Sequence, residues 1–219
     1  MKKAFCKRGA SASGFSLIEI FVVLALLGIM LAIAVPYFFQ YTKRYKSEDQ
    51  AIKIMDLMRE ANQLAITRRR TMRFEIDLTA NALLIIDQNG SAAGTLIKSI
   101  PLERTQDVRV DIAPTGVAAP NPPNYANAAY AADSVGHQAN GATVIGNNVW
   151  QCRFLSDGSV VNMAGAPVPI NGTIYVWPPV AFASTTARNL DEVRAVTLFG
   201  GSGAVRYWKH NGTTFVPSL

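Results

Sequence analysis

The chain has 219 residues, 49% hydrophobic and 16% charged, with a formal net charge of +6. That length allows one apolar membrane segment and one globular domain of ordinary size. Four of the 21 basic residues lie within residues 1–14, so the remainder carries 17 basic and 15 acidic side chains, a net charge of +2. So small an excess argues against a protein whose main partner is nucleic acid.

Residues 1–14 form a basic leader, MKKAFCKRGASASG, that contains no acidic residue. Positive charge before the first apolar segment is typical of a cytoplasmic flank, so we expect the chain after Val35 to lie outside the cytoplasm. In a cleaved secretory signal, the small-residue cleavage site follows a shorter apolar core. Here the small residues come before the apolar segment, which predicts that this segment is retained.

The apolar segment runs from Phe15 to Val35, and Glu19 is its one charged residue. As a helix its 21 residues would span about 31 Å, which matches the hydrocarbon core of a bilayer. A carboxylate inside such a segment costs on the order of a few kcal/mol without a partner, so it indicates a function. The alternative is an interfacial acid that reaches the lipid headgroups.

Residues 36–70 continue with apolar side chains at three- and four-residue spacing and charges on the opposite face. This pattern predicts an amphipathic helix that extends the apolar one into a stalk of about 50 residues. Pro36 removes one helix hydrogen bond, so we expect it to kink the stalk near the membrane surface without ending it.

Residues 71–219 change to the alternating pattern of strands and predict a β-rich head. The predicted strands are Thr71–Asp77, Ala82–Asp87, Thr95–Ile100, Asp107–Ile112, Val149–Leu155, Ser159–Asn162, Thr173–Trp177, Val193–Phe199 and Ala204–Lys209. Glycine-containing stretches at 156–158 and 200–203 supply hairpin turns. The predicted fold class is α+β, with the head covering the apolar stripe of the long N-terminal helix.

Residues 113–142 are rich in Ala, Asn and Pro and have almost no aliphatic pattern. Such a length without periodicity is uncommon inside a compact domain. It predicts a flexible surface insertion, and a ligand-binding loop is the less favoured alternative. Tyr125 and Tyr130 would make the contacts of such a loop.

The order of basic leader, Gly14, Phe15 and a glutamate at the fifth position from Phe15 resembles the processing site of type IV prepilins and type II secretion pseudopilins. Within that class the head resembles the GspH/FimT group of minor pilins and pseudopilins. The residues that carry this second resemblance are Arg59–Arg68, Phe154–Val160, Val193–Leu198 and Gly203–Arg206. The resemblance implies a pilin-like fold and a structural subunit of a pilus or pseudopilus.

The family implies that an inner-membrane prepilin peptidase cuts between Gly14 and Phe15, and that the new amine of Phe15 is N-methylated. It implies that Glu19 pairs with the Phe15 amine of a neighbouring subunit, so that each buried charge has a partner. The implied partners are other pilins or pseudopilins, the peptidase, the inner-membrane assembly platform and membrane lipid. The protein would cross the bacterial inner membrane once, with its N-terminus cytoplasmic and its head periplasmic.

Some FimT-like minor pilins bind DNA through a C-terminal Gly-Arg-x-Arg motif, and the nearest match, Gly203–Arg206, lacks the first arginine. Arg206 and Lys209, beside the aromatic residues Tyr207 and Trp208, predict at most weak, salt-sensitive DNA contact. The alternative function is therefore a pilus-associated receptor for DNA or a surface ligand, in DNA uptake or adhesion.

A second basic cluster, Arg68–Arg70 with Arg73, is predicted at the end of the stalk helix. Cations at a helix C-terminus are stabilised by the helix dipole. We favour this structural role over nucleic-acid binding.

The sequence contains no Gly-x-Ser-x-Gly, Walker or Gly-x-Gly-x-x-Gly motif, and we predict a protein that is not an enzyme. His137 and His210 do not stand at metal-ligand spacing with Cys152 or with acidic residues, so neither a metal nor a cofactor is predicted. Cys152 lies in an apolar predicted strand, which favours a small core residue over a nucleophile.

Overall fold

The computed structural model describes residues 16–164 and 166–218, and for residues 38–44 it describes the backbone alone. It divides into two units, of which the first ends at Tyr41 and the second begins at Thr42. Helix α1 runs from Leu17 to Arg68, and Pro36 lies inside it. The proline therefore does not end the helix.

Among the described residues, thirteen strands follow α1. They are β1 (Met72–Asp77), β2 (Ala82–Asp87), β3 (Thr95–Pro101), β4 (Arg109–Asp111), β5 (Ala131–Ala132), β6 (His137–Ala139), β7 (Ala142–Val144), β8 (Asn148–Phe154), β9 (Val160–Val161), β10 (Gly172–Trp177), β11 (Arg194–Phe199), β12 (Ala204–His210) and β13 (Phe215–Pro217). A 3-10 turn, Leu190–Glu192, precedes β11. The predicted α+β class is confirmed.

The strands form two sheets. The first has the order β5-β8-β1-β2-β3-β6-β7, with β9 also paired to β8, and the second has the order β13-β12-β11-β10-β4. The central strand β1 is antiparallel to both β2 and β8, in a register that places Phe74 opposite Ile85 on one side and Cys152 on the other.

The part of α1 that belongs to the second unit packs against both sheets. Its buried side chains recur at three- and four-residue spacing: Ala51, Ile54, Leu57, Met58, Ala61 and Ala65. They share one apolar core with Phe74 of β1, Cys152 of β8 and Val196 of β11. The core therefore lies between the helix and the inner faces of the sheets, as the amphipathic pattern predicts.

All nine predicted strands are present, and each end lies within two residues of its predicted position. Four further strands, β5, β6, β7 and β13, were not predicted. Each is only two or three residues long. Such a strand is too short to show alternation of apolar and polar side chains.

Residues 113–142 do not stand off the surface as a simple insertion. They contain β5 and β6, which belong to the first sheet, and Val117, Ala128, Asp133 and His137 are buried. Val117 packs on the outer face of the second sheet, whereas Asp133 and His137 lie over the first. The segment is therefore integrated into the head, because it covers surface that the strands leave open.

Candidate functional site

The apolar part of α1 is long enough to cross a membrane. From Leu17 to Tyr37 its mean hydropathy is 2.9, and none of it is buried inside the molecule. Secretory signals also place an apolar helix near the N-terminus. The helix of a soluble core differs, because its apolar residues are buried. Within the described residues this is the one helix of that kind.

Glu19 lies in the first turn of this helix, and its side chain is exposed. Nowhere in residues 16–164 or 166–218 does Glu19 have an ion-pair partner. Gly14 and Phe15, the predicted cleavage and methylation residues, lie outside the described residues. A carboxylate on a membrane-length apolar surface obtains a partner from another molecule or from lipid headgroups.

The predicted basic cluster at the end of α1 is divided in the structure. Arg68, Arg69 and Arg70 are exposed, and Arg70 lies 3.3 Å from the carboxylate of Asp87. Arg73 is instead completely buried. Its assignment to this cluster was wrong, because its side chain lies under residues 133–137 and not beside the helix end.

The four residues predicted for DNA contact have unequal access to solvent. Tyr207 and Trp208 are only 4% and 5% exposed, so neither ring is accessible for stacking on a base. Nζ of Lys209 lies 2.6 Å from the carboxylate of Glu48. Arg206 is exposed and has no ion pair within the part of the chain that the structure describes. The predicted stacking pair is therefore not available as predicted, whereas one cation is.

Arg206 lies beside two shallow grooves on the outer face of the second sheet. Pro123 lines both grooves, and Tyr125 lines the first. Tyr125 stacks on Phe199, with ring centroids 6.2 Å apart. Tyr130, the other predicted contact residue, packs against the apolar core. The structure therefore brings together Arg206 of β12 and Tyr125 of residues 113–142, which are far apart in the sequence.

A second cluster, which the sequence did not predict, is buried beneath residues 133–137. The outer face of β1 carries Arg73, Glu75 and Asp77, and all three are completely buried. Asp133 and His137 lie over them and are 4% and 3% exposed. We call these five residues the buried polar cluster.

Glu75 lies between a cation and an imidazole within this cluster. Its Oε2 is 3.5 Å from Nε of Arg73, and its Oε1 is 3.8 Å from Nδ1 of His137. Among the described residues, neither carboxylate oxygen of Glu75 has a hydrogen-bond partner, and neither does Nδ1 of His137. Glu75, Asp133 and His137 each offer one ligand atom, and these atoms lie within 4.8 Å of one another. These three residues could therefore hold a metal ion.

Backbone groups hold two further members of the cluster, Arg73 and Asp133. Arg73 donates to the carbonyl oxygen of Gly136 at 2.7 Å. The carboxylate of Asp133 accepts from the backbone N–H groups of Val135 and Gly136, each at 3.0 Å. The bond from Arg73 connects residues 133–137 to β1. The two bonds to Asp133 set the orientation of its carboxylate.

Burial and neighbouring charges shift the pKa values of Glu75 and His137, whose side chains face each other. Burial raises the pKa of Glu75 to about 7; the charge of Arg73 opposes that rise, while Asp133 and Asp77 add to it. Burial lowers the pKa of His137, and the positive charge of Arg73 lowers it further. The imidazole is therefore neutral at pH 7 and has a lone pair to offer.

Sequence reasoning missed this cluster for a physical reason. Charges alternating along a strand are typical of a solvated face, and Arg73, Glu75 and Asp77 show that pattern. His137 lies in a segment without periodicity, far from them in sequence. The one feature of the sequence that indicates this cluster is that the three outer positions of β1 are all charged, with both signs present.

The other candidate side chains lie elsewhere. Cys152 is in the apolar core as predicted, and burial raises the pKa of its thiol. Nδ1 of His210 accepts a hydrogen bond from the backbone N–H of Gly212 at 3.1 Å. Neither residue approaches the buried polar cluster closely enough to join the three potential ligands.

Comparison of the chain with protein-family models, with curated proteins and with solved structures gave no match. These comparisons therefore assign no function to the chain. Three features bear on its function: the apolar helix with Glu19, the surface around Arg206, and the buried polar cluster.

Proposed function

We propose that the protein is a minor pilin or pseudopilin, a structural subunit that primes or joins a type IV pilus or a type II secretion pseudopilus. The observation that carries this proposal is Glu19, a lone carboxylate in the first turn of an exposed apolar helix of membrane length. An α+β head whose helix packs against sheets supports the pilin-like arrangement that the N-terminal motif implies.

In the proposed pathway the basic leader stays in the cytoplasm and the apolar helix crosses the inner membrane, with the head in the periplasm. The prepilin peptidase cuts between Gly14 and Phe15, and the amine of Phe15 is methylated. Glu19 then pairs with the Phe15 amine of a neighbouring subunit. The pairing matters because an isolated charge at membrane depth costs several kcal/mol. Assembly would therefore give each of these two charges a partner of opposite sign in a neighbouring subunit.

Intact-mass measurement of the membrane-extracted protein tests the processing step. We expect loss of residues 1–14 and one added methyl group. Gly14→Ala should still be cut, whereas Gly14→Trp should leave the full-length chain, because a peptidase needs close approach to the backbone there. A mature protein that keeps Met1 would contradict the proposal.

Glu19→Val tests the assembly step. The variant should still insert in the membrane, because removing a charge makes the helix more apolar. It should fail to join filaments, since the amine of the neighbouring Phe15 loses its partner. Ile20→Val, which alters the adjacent residue and no charge, is the matched control. Normal filament yield with Glu19→Val would show that Glu19 is merely an interfacial acid.

A second candidate function, a receptor for DNA or a surface ligand, is favoured by the surface around Arg206. There an exposed guanidinium lies beside the stacked rings of Tyr125 and Phe199. A mobility-shift titration with single-stranded DNA at two salt concentrations tests it. Binding should be weak and fall steeply with salt.

Arg206→Ala should reduce this binding more than Arg104→Ala, which removes an equal charge from another exposed position. Equal losses in the two variants would show non-specific attraction. Tight, salt-resistant binding lost in Arg206→Ala alone would rank the receptor function above the structural one.

A further inference from the structure

We propose that Glu75, Asp133 and His137 bind a divalent transition-metal cation inside the head. The three side chains come from β1 and from the segment that covers it, and their ligand atoms lie within 4.8 Å of one another. This site is independent of the proposed function, because it concerns the head and not the membrane helix or its processing.

The first argument is unsatisfied bonding. The side chain of Glu75 is completely buried, yet neither of its oxygens has a hydrogen-bond partner in the part of the chain that the structure describes. Nδ1 of His137 also lacks one, and that side chain is 4% exposed. Buried polar atoms are nearly always paired, and these two atoms face each other across 3.8 Å, a separation at which one cation can bind both.

The second argument is charge. Among the described residues, three buried carboxylates, those of Glu75, Asp77 and Asp133, share this region with one buried guanidinium, that of Arg73. Arg153, the next cation on that face, instead donates to backbone carbonyls at 2.6 and 2.9 Å. The cluster thus carries an excess of two negative charges when its carboxyls are ionised. A divalent cation would balance that excess.

The third argument is geometry. Glu75 presents Oε2 to Arg73 and Oε1 to His137, so one oxygen can bind a metal while the other keeps the ion pair. Ligand atoms at about 2.1 Å from a tetrahedral metal lie about 3.4 Å apart. Side-chain shifts of under about 1 Å each would bring the three atoms to that separation. Backbone N–H groups already orient the Asp133 carboxylate, as outer-shell bonds do at metal sites.

The donor set selects the class of metal. One imidazole nitrogen with two carboxylates suits Zn²⁺ and its first-row neighbours, whereas Ca²⁺ and Mg²⁺ prefer oxygen donors throughout. Three protein ligands leave at least one coordination position for water. The bound cation would connect β1 to residues 133–137 and so hold the covering segment on the first sheet.

Zinc titration of the full chain in detergent micelles tests the proposal. The protein should carry a purification tag without histidine and be stripped of metal with a chelator. We expect one Zn²⁺ per chain by calorimetry. We also expect the melting temperature to rise by about 5–10 °C at a free Zn²⁺ concentration of about 100 Kd. Absence of stoichiometric binding by the parent protein would overturn the proposal.

Matched histidine variants locate the site. His137→Gln should bind Zn²⁺ more weakly by on the order of 100-fold or more, since losing a ligand costs at least as much as losing an outer-shell bond. His210→Gln removes the other histidine, which is also buried, and should bind like the parent. Unchanged binding by His137→Gln, or equal loss in both variants, would place the metal elsewhere.

X-ray absorption of the zinc-loaded parent gives an answer even if His137→Gln does not fold. The spectrum should show one imidazole nitrogen and carboxylate oxygens at about 2.0–2.2 Å. Sulfur at about 2.3 Å would mean a cysteine site and would contradict the assignment.

Discussion

Both faces of β1 are buried, but one face carries apolar side chains and the other carries charged ones. The face toward α1 carries Met72, Phe74 and Ile76, and the outer face carries Arg73, Glu75 and Asp77. On the first face, apolar side chains need only shape and volume from their neighbours. On the second, every group needs a partner, because a charge removed from water without one costs several kcal/mol.

The comparison separates what holds the head together from what it can bind. The apolar face toward α1 stabilises the fold by burial. The charged outer face of β1 gains little net stability from its buried ion pair, because removing both charges from water offsets their attraction. The buried polar cluster is therefore the part of the head where we propose that a metal cation binds.

Phe74→Ala should have the largest effect on stability, because it empties the centre of the apolar face. We expect a loss of about 3–5 kcal/mol in the free energy of unfolding, measured by chemical denaturation of the full chain in detergent. Phe199→Ala, at a position that is 43% exposed, should cost far less. Similar losses in both variants would mean that the core does not lie where the structure places it.

The apolar face could be predicted from the sequence, whereas the polar face could not. Phe74 and Cys152 lie in strands with clear alternation, and their burial follows from that pattern. The burial of Arg73 depends on residues 133–137, which form no recognisable element in the sequence. Burial by a segment that is distant in sequence leaves no pattern in the residues around Glu75. Its proximity to His137 therefore could not be predicted from the sequence.

Arg73→Met should have the next largest effect, on the polar face. It removes the one buried cation beside Glu75 and leaves the carboxylates uncompensated. With a chelator present to remove metal ions, we expect the free energy of unfolding to fall by about 3 kcal/mol. The double variant Arg73→Met/Glu75→Leu should recover most of this loss, since an apolar pair replaces the ion pair without leaving a lone charge. A double variant less stable than Arg73→Met would show that the pair is a net source of stability.

Glu75 should make the free energy of unfolding depend on pH, whereas Phe74 on the opposite face of β1 has no group that titrates. The folded pKa of Glu75, about 7, exceeds the ordinary value of 4.5, so the folded state binds more protons between these two pH values. The contribution is fully present below pH 4.5 and is lost as pH rises through 7.

Relative to Glu75→Gln, the parent should therefore lose on the order of 2 kcal/mol of stability between pH 5 and pH 8. The measurement is denaturant unfolding in chelator at several pH values. His137, whose pKa is lowered, has the opposite effect on stability, and it is present in both proteins. A difference that stays constant with pH would show that Glu75 titrates normally.

Glu60→Gln should have the smallest effect, and it sharpens the comparison between buried and exposed charges. Glu60 of α1 pairs with Lys98 of β3 at 2.6 Å, but these side chains are 39% and 41% exposed. Water already solvates both charges, so removing one should change the free energy of unfolding by less than about 0.5 kcal/mol. High salt should abolish even that difference. A loss comparable to that of Arg73→Met would mean that the distance between charges, and not their burial, decides what an ion pair contributes in this head.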